Sequence, residues 1–69
     1  MPVLIYGKDG CPYTSAARDD HSKRKVAFEY INVIADAAKL KEMLKHSKGV
    51  RKVPVIVDGD KVTIGFNGT

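Results

Sequence analysis

The sequence predicts an α/β domain with the element order β-α-β-α-β-β and a mixed four-stranded sheet. Three observations carry that prediction. The β-branched runs at Val3–Tyr6 and at residues 53–57 are short, apolar and bounded by turn residues, which is the pattern of buried strands. Leu40, Met43 and Leu44 form an i, i+3, i+4 stripe behind an N-cap signal at Asp36. Asp58-Gly59 marks a hairpin turn after the second of those runs.

Each element follows in order. Val3 to Tyr6 forms the first strand, and Gly7-Lys8-Asp9-Gly10 closes it as a glycine-bearing loop. Proline is favoured just inside a helix start, because its missing N–H has no intrahelical partner to lose. Cys11-Pro12 therefore opens a helix running from Pro12 to about Lys25. Its inward face is thin: Ala16 and Ala17 are small, and the next inward turn must use Asp20 or His21. Phe28 to Val33 alternates as a second strand. Gly49 supplies the stop for the second helix. Val-Pro-Val-Ile-Val at 53–57 is a strand opened by proline, and Lys61 to Ile64 is the fourth strand. A right-handed βαβ crossover with two parallel strands is thus followed by an antiparallel hairpin.

Sixty-nine residues, 43% of them hydrophobic, suit a single small domain spanning 1–69. No apolar run approaches the roughly 20 residues that cross a bilayer, and the start lacks a basic-then-apolar leader pattern. The expected setting is the cytoplasm, with no membrane partner. The formal charge of +4 favours anionic partners. The lysines are spread along the chain without an aromatic platform, so nucleic acid is not an expected partner. His21 is expected half-buried and His46 on a helix surface, neither spaced as a metal ligand with Cys11, so no metal site is assigned. One cysteine excludes an internal disulfide and a multi-cysteine zinc site within the chain.

A lone cysteine is ordinarily a small buried hydrophobe. Cys11 is different because it falls at a strand-loop-helix junction. A sulfur there faces unpaired backbone N–H groups and the positive end of the helix dipole, both of which favour the thiolate. An unperturbed thiol is only slightly ionised at neutral pH, and the thiolate is the reactive species. Lys8, three residues upstream, adds a nearby positive charge. These residues make Cys11 the candidate catalytic nucleophile.

Cys11-Pro12-Tyr13-Thr14 resembles the glutaredoxin active site, whose usual form carries a second cysteine at the Thr14 position. The segment from Tyr6 to Cys11 resembles that family's strand, lysine and nucleophile. Val53-Pro54 matches its Val-Pro pair, and Gly65 falls at the first glycine of its late Gly-Gly turn. The resemblance covers nearly the whole chain. It implies a minimal thioredoxin fold, thiol–disulfide exchange at Cys11, and a cis peptide bond before Pro54 lying beside the cysteine. Glutathione or another small thiol is the implied co-substrate, with protein mixed disulfides as partners and no tightly bound cofactor. Carried over by position, Lys8 and Tyr13 flank the tripeptide, and the Val53 backbone, held by Pro54, pairs with it as an added strand. Each has a plainer alternative: Lys8 as a solvated loop lysine, Tyr13 as helix-surface packing, Pro54 as a strand-start proline.

The departures from the family pattern shape the expectation. With Thr14 in place of the resolving cysteine, Cys11 is left with a one-thiol cycle. Thr14 is a candidate hydrogen-bond donor to the sulfur, with helix packing as the plainer role. The late turn reads Gly65-Phe66-Asn67-Gly68-Thr69, without the acid that grips the γ-glutamyl end. Its Gly-Phe pair is closer to redoxins serving ribonucleotide reductase, which do not depend on glutathione. The Thr69 hydroxyl, Arg51 and Lys52 are candidates for holding an anionic partner, or else simply solvated surface. The sequence stops where the fold's last helix would begin, so one sheet face is expected to be incompletely covered, with a homodimer as one arrangement that would cover it. The Pro-Tyr-Thr context also resembles bacterial glutaredoxin-like selenoproteins, with Cys11 standing in for selenocysteine. Alternatives on the same fold are an iron–sulfur cluster carrier, which usually has Gly-Phe-Ser after the cysteine, and a redox-inert binding module.

Overall fold

The computed structural model describes residues 2–66. They form β1 (Val3–Gly7), α1 (Pro12–Lys23), β2 (Phe28–Asn32), α2 (Ala37–Ser47), β3 (Val55–Asp58) and β4 (Lys61–Ile64). The sheet order is β2-β1-β3-β4. β1 runs parallel to β2 and antiparallel to β3, and β3 and β4 are antiparallel. The architecture expected from the sequence is the one observed.

Side-chain alternation along β1 and β3 builds two apolar layers. Val3, Ile5 and Ile56 pack with Ala17 of α1 on one face, joined by Val26, Phe28 and Phe66. Tyr6, Val55 and Val57 pack with Met43 of α2 and with Val33 on the other, joined by Leu4, Ile31, Leu40, Leu44 and Val53. The two helices therefore cover opposite faces of the sheet. β1 lies between β2 and β3, so its residues are buried from both sides. Edge strand β4 is exposed throughout, with Val62 and Ile64 the large apolar residues left open on it.

α1 shows how a helix with little amphipathic pattern is held. Its buried residues are Thr14, Ala17 and His21. Of the two candidates for the inward turn, His21 is the one that enters the core, and it is fully buried rather than half-buried. Its Nδ1–H donates to the Ala17 carbonyl at 2.8 Å, and its ring meets the edge of Phe28. Asp20 faces outward and pairs with Arg24. His46 is on the α2 surface as expected, its ring tilted against Tyr6.

The expected boundaries move for local reasons. α1 stops at Lys23, not Lys25, because Lys25 turns left-handed at φ 57°. Val26 N–H then donates to the His21 carbonyl and Lys25 N–H to the Ser22 carbonyl, a six-to-one closure of the Schellman kind. A non-glycine residue pays a steric penalty in that conformation. Lys25→Gly is expected to stabilise the fold by about 1 kcal/mol, raising the urea midpoint without changing the slope. α2 ends similarly. Lys48 turns left-handed ahead of Gly49, and Gly49 N–H reaches the Leu44 carbonyl. Its start is as predicted, with the Asp36 carboxylate accepting from Ala38 N–H at 2.9 Å.

β2 ends at Asn32, although Val33 N–H still bonds the Gly7 carbonyl. β3 begins at Val55 instead of Val53, since Pro54 has no N–H to add to the ladder. In the hairpin Asp58 pairs with Lys61, so the two turn residues are Gly59 and Asp60, one position later than the Asp-Gly signal indicated. Gly59 has φ 60°, matching a turn with glycine at its first central position.

Candidate active site

β1 delivers the chain to one end of the sheet, where Lys8, Asp9 and Gly10 turn it into α1. Gly10 has φ 81°, a conformation open to glycine at no steric cost. Cys11 is the N-cap of α1 in extended conformation and Pro12 takes the first helical position. The Cys11 carbonyl already accepts from Ser15 N–H at 3.0 Å, while its own N–H turns back toward the Lys8 carbonyl. The helix start predicted from Cys11-Pro12 is thus formed as expected.

Cys11 is buried, with 8% exposure, but belongs to neither of the two apolar clusters. Its thiol pKa is pulled below the ordinary thiol value. The Thr14 hydroxyl is the largest cause, followed by the Thr14 backbone amide; partial burial opposes them, and the Tyr13 amide and the Lys8 charge contribute less. These are the groups a helix N-terminus offers a thiolate. Tyr13 follows in the first turn of α1 with 43% exposure, and Lys8 is exposed.

Thr14, in contrast, is 1% exposed. Its side chain sits over Gly7: a Cβ on Gly7 would overlap Thr14 Cγ2 and lie 2.6 Å from Oγ1. Gly7 therefore leaves the space that Thr14 fills, a role that its reading as a strand terminator did not capture. No sequence signal distinguishes it from an ordinary loop glycine.

Tyr30 is a second residue missed by sequence reasoning. From β2 its hydroxyl donates to the Asp9 carboxylate at 2.7 Å, pinning the loop that carries Cys11. Arg18 of α1 lies over its ring, 4.0 Å from the centroid. Burial first, then the hydrogen bond to Asp9 and the Asp9 charge, push the Tyr30 pKa up to about 12. Ionised Tyr30 has no proton to give Asp9. Tyr30→Phe is expected to cost no more than about 1 kcal/mol, the bond being partly solvated. That difference between wild type and variant is fully present below pH 10.0 and disappears as pH rises through about 12. Denaturant titrations at neutral and alkaline pH measure it.

The register assembles the rest of the site. Tyr6 pairs with Val55 and Val55 with Ile64, which sets Gly7, Pro54 and Gly65 side by side at the next level. Gly65 N–H donates to the Pro54 carbonyl at 2.7 Å, with Gly65 at φ 87°. The Val53–Pro54 peptide bond is cis, as the family resemblance implied. Pro54 and Gly65 thus reach the sheet end from which the Cys11 loop departs. Lys8, Arg51 and Val53 line a groove of about 170 Å³ with Val33, Ile34, Leu40 and Met43. Ile34 is 71% exposed at its rim. Lys52 is exposed on the segment leading to Val53. Thr69 lies outside the described residues.

The glutaredoxin family model matches residues 3–62. The chain belongs to the glutaredoxin family. It is 32% identical over 60 residues to Glutaredoxin 3 of Escherichia coli, covering 87% of this chain and 72% of that protein. Among solved structures it is similar to the glutaredoxin-like NrdH-redoxin of Escherichia coli, with a TM-score of 0.81 and 32% identity. That alignment covers 96% of this chain and 84% of the other. It is also similar to a glutaredoxin of Archaeoglobus fulgidus, with a TM-score of 0.78, 35% identity, and coverage of 94% and 75%. Glutaredoxin-family chemistry is thiol oxidoreduction, and Cys11 is the one cysteine of this sequence. No helix among the described residues is long and apolar enough to cross a membrane.

Proposed function

We propose that this glutaredoxin is a monothiol oxidoreductase whose Cys11 thiolate attacks glutathione mixed disulfides. The carrying observation is a single thiol at the N-cap of α1, with its pKa lowered and Thr14 where a resolving cysteine would stand. In the first step Cys11 attacks the glutathione sulfur of the mixed disulfide. A Cys11–glutathione disulfide forms, the original S–S bond breaks, and the electron pair leaves on the protein thiolate. In the second step a glutathione thiolate attacks that adduct, releasing glutathione disulfide and regenerating the Cys11 thiolate. The net change is a two-electron reduction of the protein mixed disulfide at the expense of free thiol.

Lys8 and Arg51 offer cations to the glutathione carboxylates from one groove, and the Val53 backbone at its wall offers strand-like pairing. In this reading Tyr13 flanks the tripeptide, and Gly65 and Lys52 belong to the proposed binding set together with Thr69, which lies outside the described residues. A reducing compartment such as the cytoplasm supplies the thiol. The test is incubation with a glutathionylated peptide, followed by mass analysis and a turnover assay with glutathione. The expected result is one glutathione on Cys11 and turnover that follows glutathione concentration. Absence of an adduct at Cys11 overturns the reading.

The likeness to NrdH-redoxin favours a second reading of the electron donor. The description of that structure gives the protein a thioredoxin-like activity profile. The Gly65-Phe66 pair, with its resemblance to redoxins serving ribonucleotide reductase, points the same way. In this reading the same Cys11 chemistry is served by a different thiol. Turnover sustained by a dithiol but not by glutathione separates the two. A native selenocysteine at position 11 would suit the same helix start, because a selenol ionises more readily. An in-frame UGA codon is required for that, and a cysteine codon ends it.

A further inference from the structure

We infer that Tyr30 is a positioning residue for the reaction: it holds the Asp9 carboxylate off the start of α1 and leaves the amides there to the Cys11 thiolate. The inference rests on Cys11 being the reactive thiol and names what keeps a competing anion from its site. Open amides at a helix start attract nearby anions, and aspartate is among the side chains that most often occupy them. Asp9 stands two residues before the Cys11 N-cap and is the carboxylate nearest in sequence to that start.

Asp9 is engaged by a different element. Its Oδ1 accepts from the Tyr30 hydroxyl at 2.7 Å, across 21 positions of the chain. Tyr30 pairs with Ile5 and so lies on the sheet face that α1 covers. There the half-buried Arg18 sets its guanidinium over the ring, 4.0 Å from the centroid. The carboxylate thus has a donor, and the donor's ring has a cation on it. Asp9, Arg18 and an ionised Cys11 all act on the Tyr30 hydroxyl, which places this clamp within electrostatic range of the sulfur.

The other charged groups at this end of the sheet do not oppose the thiolate. Lys8 in the loop acts on Cys11 directly, and Arg51 and Lys52 are exposed on the segment before β3. Asp36 is committed to Ala38 N–H at the start of α2. Asp9 is therefore the acid whose release would matter. Freed from Tyr30, it brings a negative charge to the amides of Tyr13 and Thr14, which now favour the ionised sulfur. The thiolate fraction falls, and attack on a disulfide slows with it.

The test follows Cys11 alkylation by a neutral reagent across pH in wild type, Tyr30→Phe, Asp9→Ala and the double variant, with circular dichroism checking the fold. Phenylalanine keeps the ring under Arg18 and removes the donor. At a pH below all the midpoints, Tyr30→Phe is expected to react about threefold slower than wild type. Adding Asp9→Ala is expected to restore the rate, because no carboxylate is left to occupy the helix start. Asp9→Asn, which removes the charge and keeps an acceptor, repeats that arm if the alanine variants do not fold. The deficit of Tyr30→Phe shrinks in about 1 M salt, which a loss of loop order alone would not produce. A Tyr30→Phe rate equal to wild type, or a deficit that persists in the double variant, overturns the role of Tyr30 and leaves the Cys11 mechanism standing. A wild-type midpoint at the free-cysteine value overturns both.

Discussion

Cys11→Ser is expected to reduce thiol–disulfide exchange by roughly a thousandfold or more, to the uncatalysed background. Nothing else in the chain can replace the lost sulfur, because Cys11 is its one cysteine. A serine hydroxyl is far too weak an acid for the helix N-terminus and Thr14 to ionise it near neutral pH, and it forms no disulfide with glutathione. The loss is chemical, not structural. Cys11 belongs to neither apolar cluster, and serine is a favoured N-cap residue. The variant should therefore keep its circular dichroism and its melting temperature while showing no mass increase after exposure to oxidised glutathione. Appreciable residual turnover would contradict the assignment of Cys11.

Gly7→Ala is expected to give the largest loss of stability, about 2–3 kcal/mol. Gly7 lies on β1, is buried, and pairs with Asn32. Its new methyl would collide with Thr14 Cγ2 and Oγ1, and neither partner can retreat easily. Thr14 is fixed in the first turn of α1, and Gly7 is fixed by the sheet. For a domain of this size that cost corresponds to a fall in melting temperature of roughly 10–20 °C. The same collision predicts strong coupling. Adding Thr14→Ala to Gly7→Ala should restore much of the lost stability, giving a double-mutant coupling of at least about 1 kcal/mol. Additive effects of the two substitutions would show that the methyl is accommodated some other way.

The scaffold was readable because its signals are local. The apolar runs, the Asp36 cap, the Leu40-Met43-Leu44 stripe and the glycine hairpin each act within a few residues, and all four are formed. The Cys11-Pro12 helix start belongs with them. Helix ends were less readable, because Lys25 and Lys48 adopt left-handed conformations that composition assigns to glycine. There the closing hydrogen bonds, made after the chain has folded back, override residue preference.

The geometry of the candidate site was legible where it coincides with one short segment or with a family landmark. The helix start at Cys11-Pro12 and the cis bond before Pro54 are of this kind. Residues that act across the fold were not. Tyr30 reaches Asp9 over 21 positions, and Arg18 stacks on Tyr30 from a different element. Gly7 matters only through the side chain that α1 lays over it. Such contacts depend on sheet order and helix placement, which a one-dimensional pattern fixes only after the elements are assembled. The choice of His21 over Asp20 as the buried turn has the same origin. Imidazole can satisfy itself on the Ala17 carbonyl inside the core, whereas a carboxylate would bury an unpaired charge.

The most direct trial of the whole proposal is the rate of Cys11 alkylation by a neutral reagent, followed across pH in the intact wild-type protein. Folding lowers the Cys11 pKa, so the thiolate persists below the pH at which an unstructured cysteine has been protonated. Linkage gives the same sign: the native state gains from this group above the ordinary thiol value of 9.0 and loses that gain as pH falls through the folded midpoint. The expected curve rises at a distinctly lower pH than that of the urea-unfolded chain. Coincident curves, or a folded protein that reacts only at higher pH, would contradict a sulfur held ionised at the start of α1.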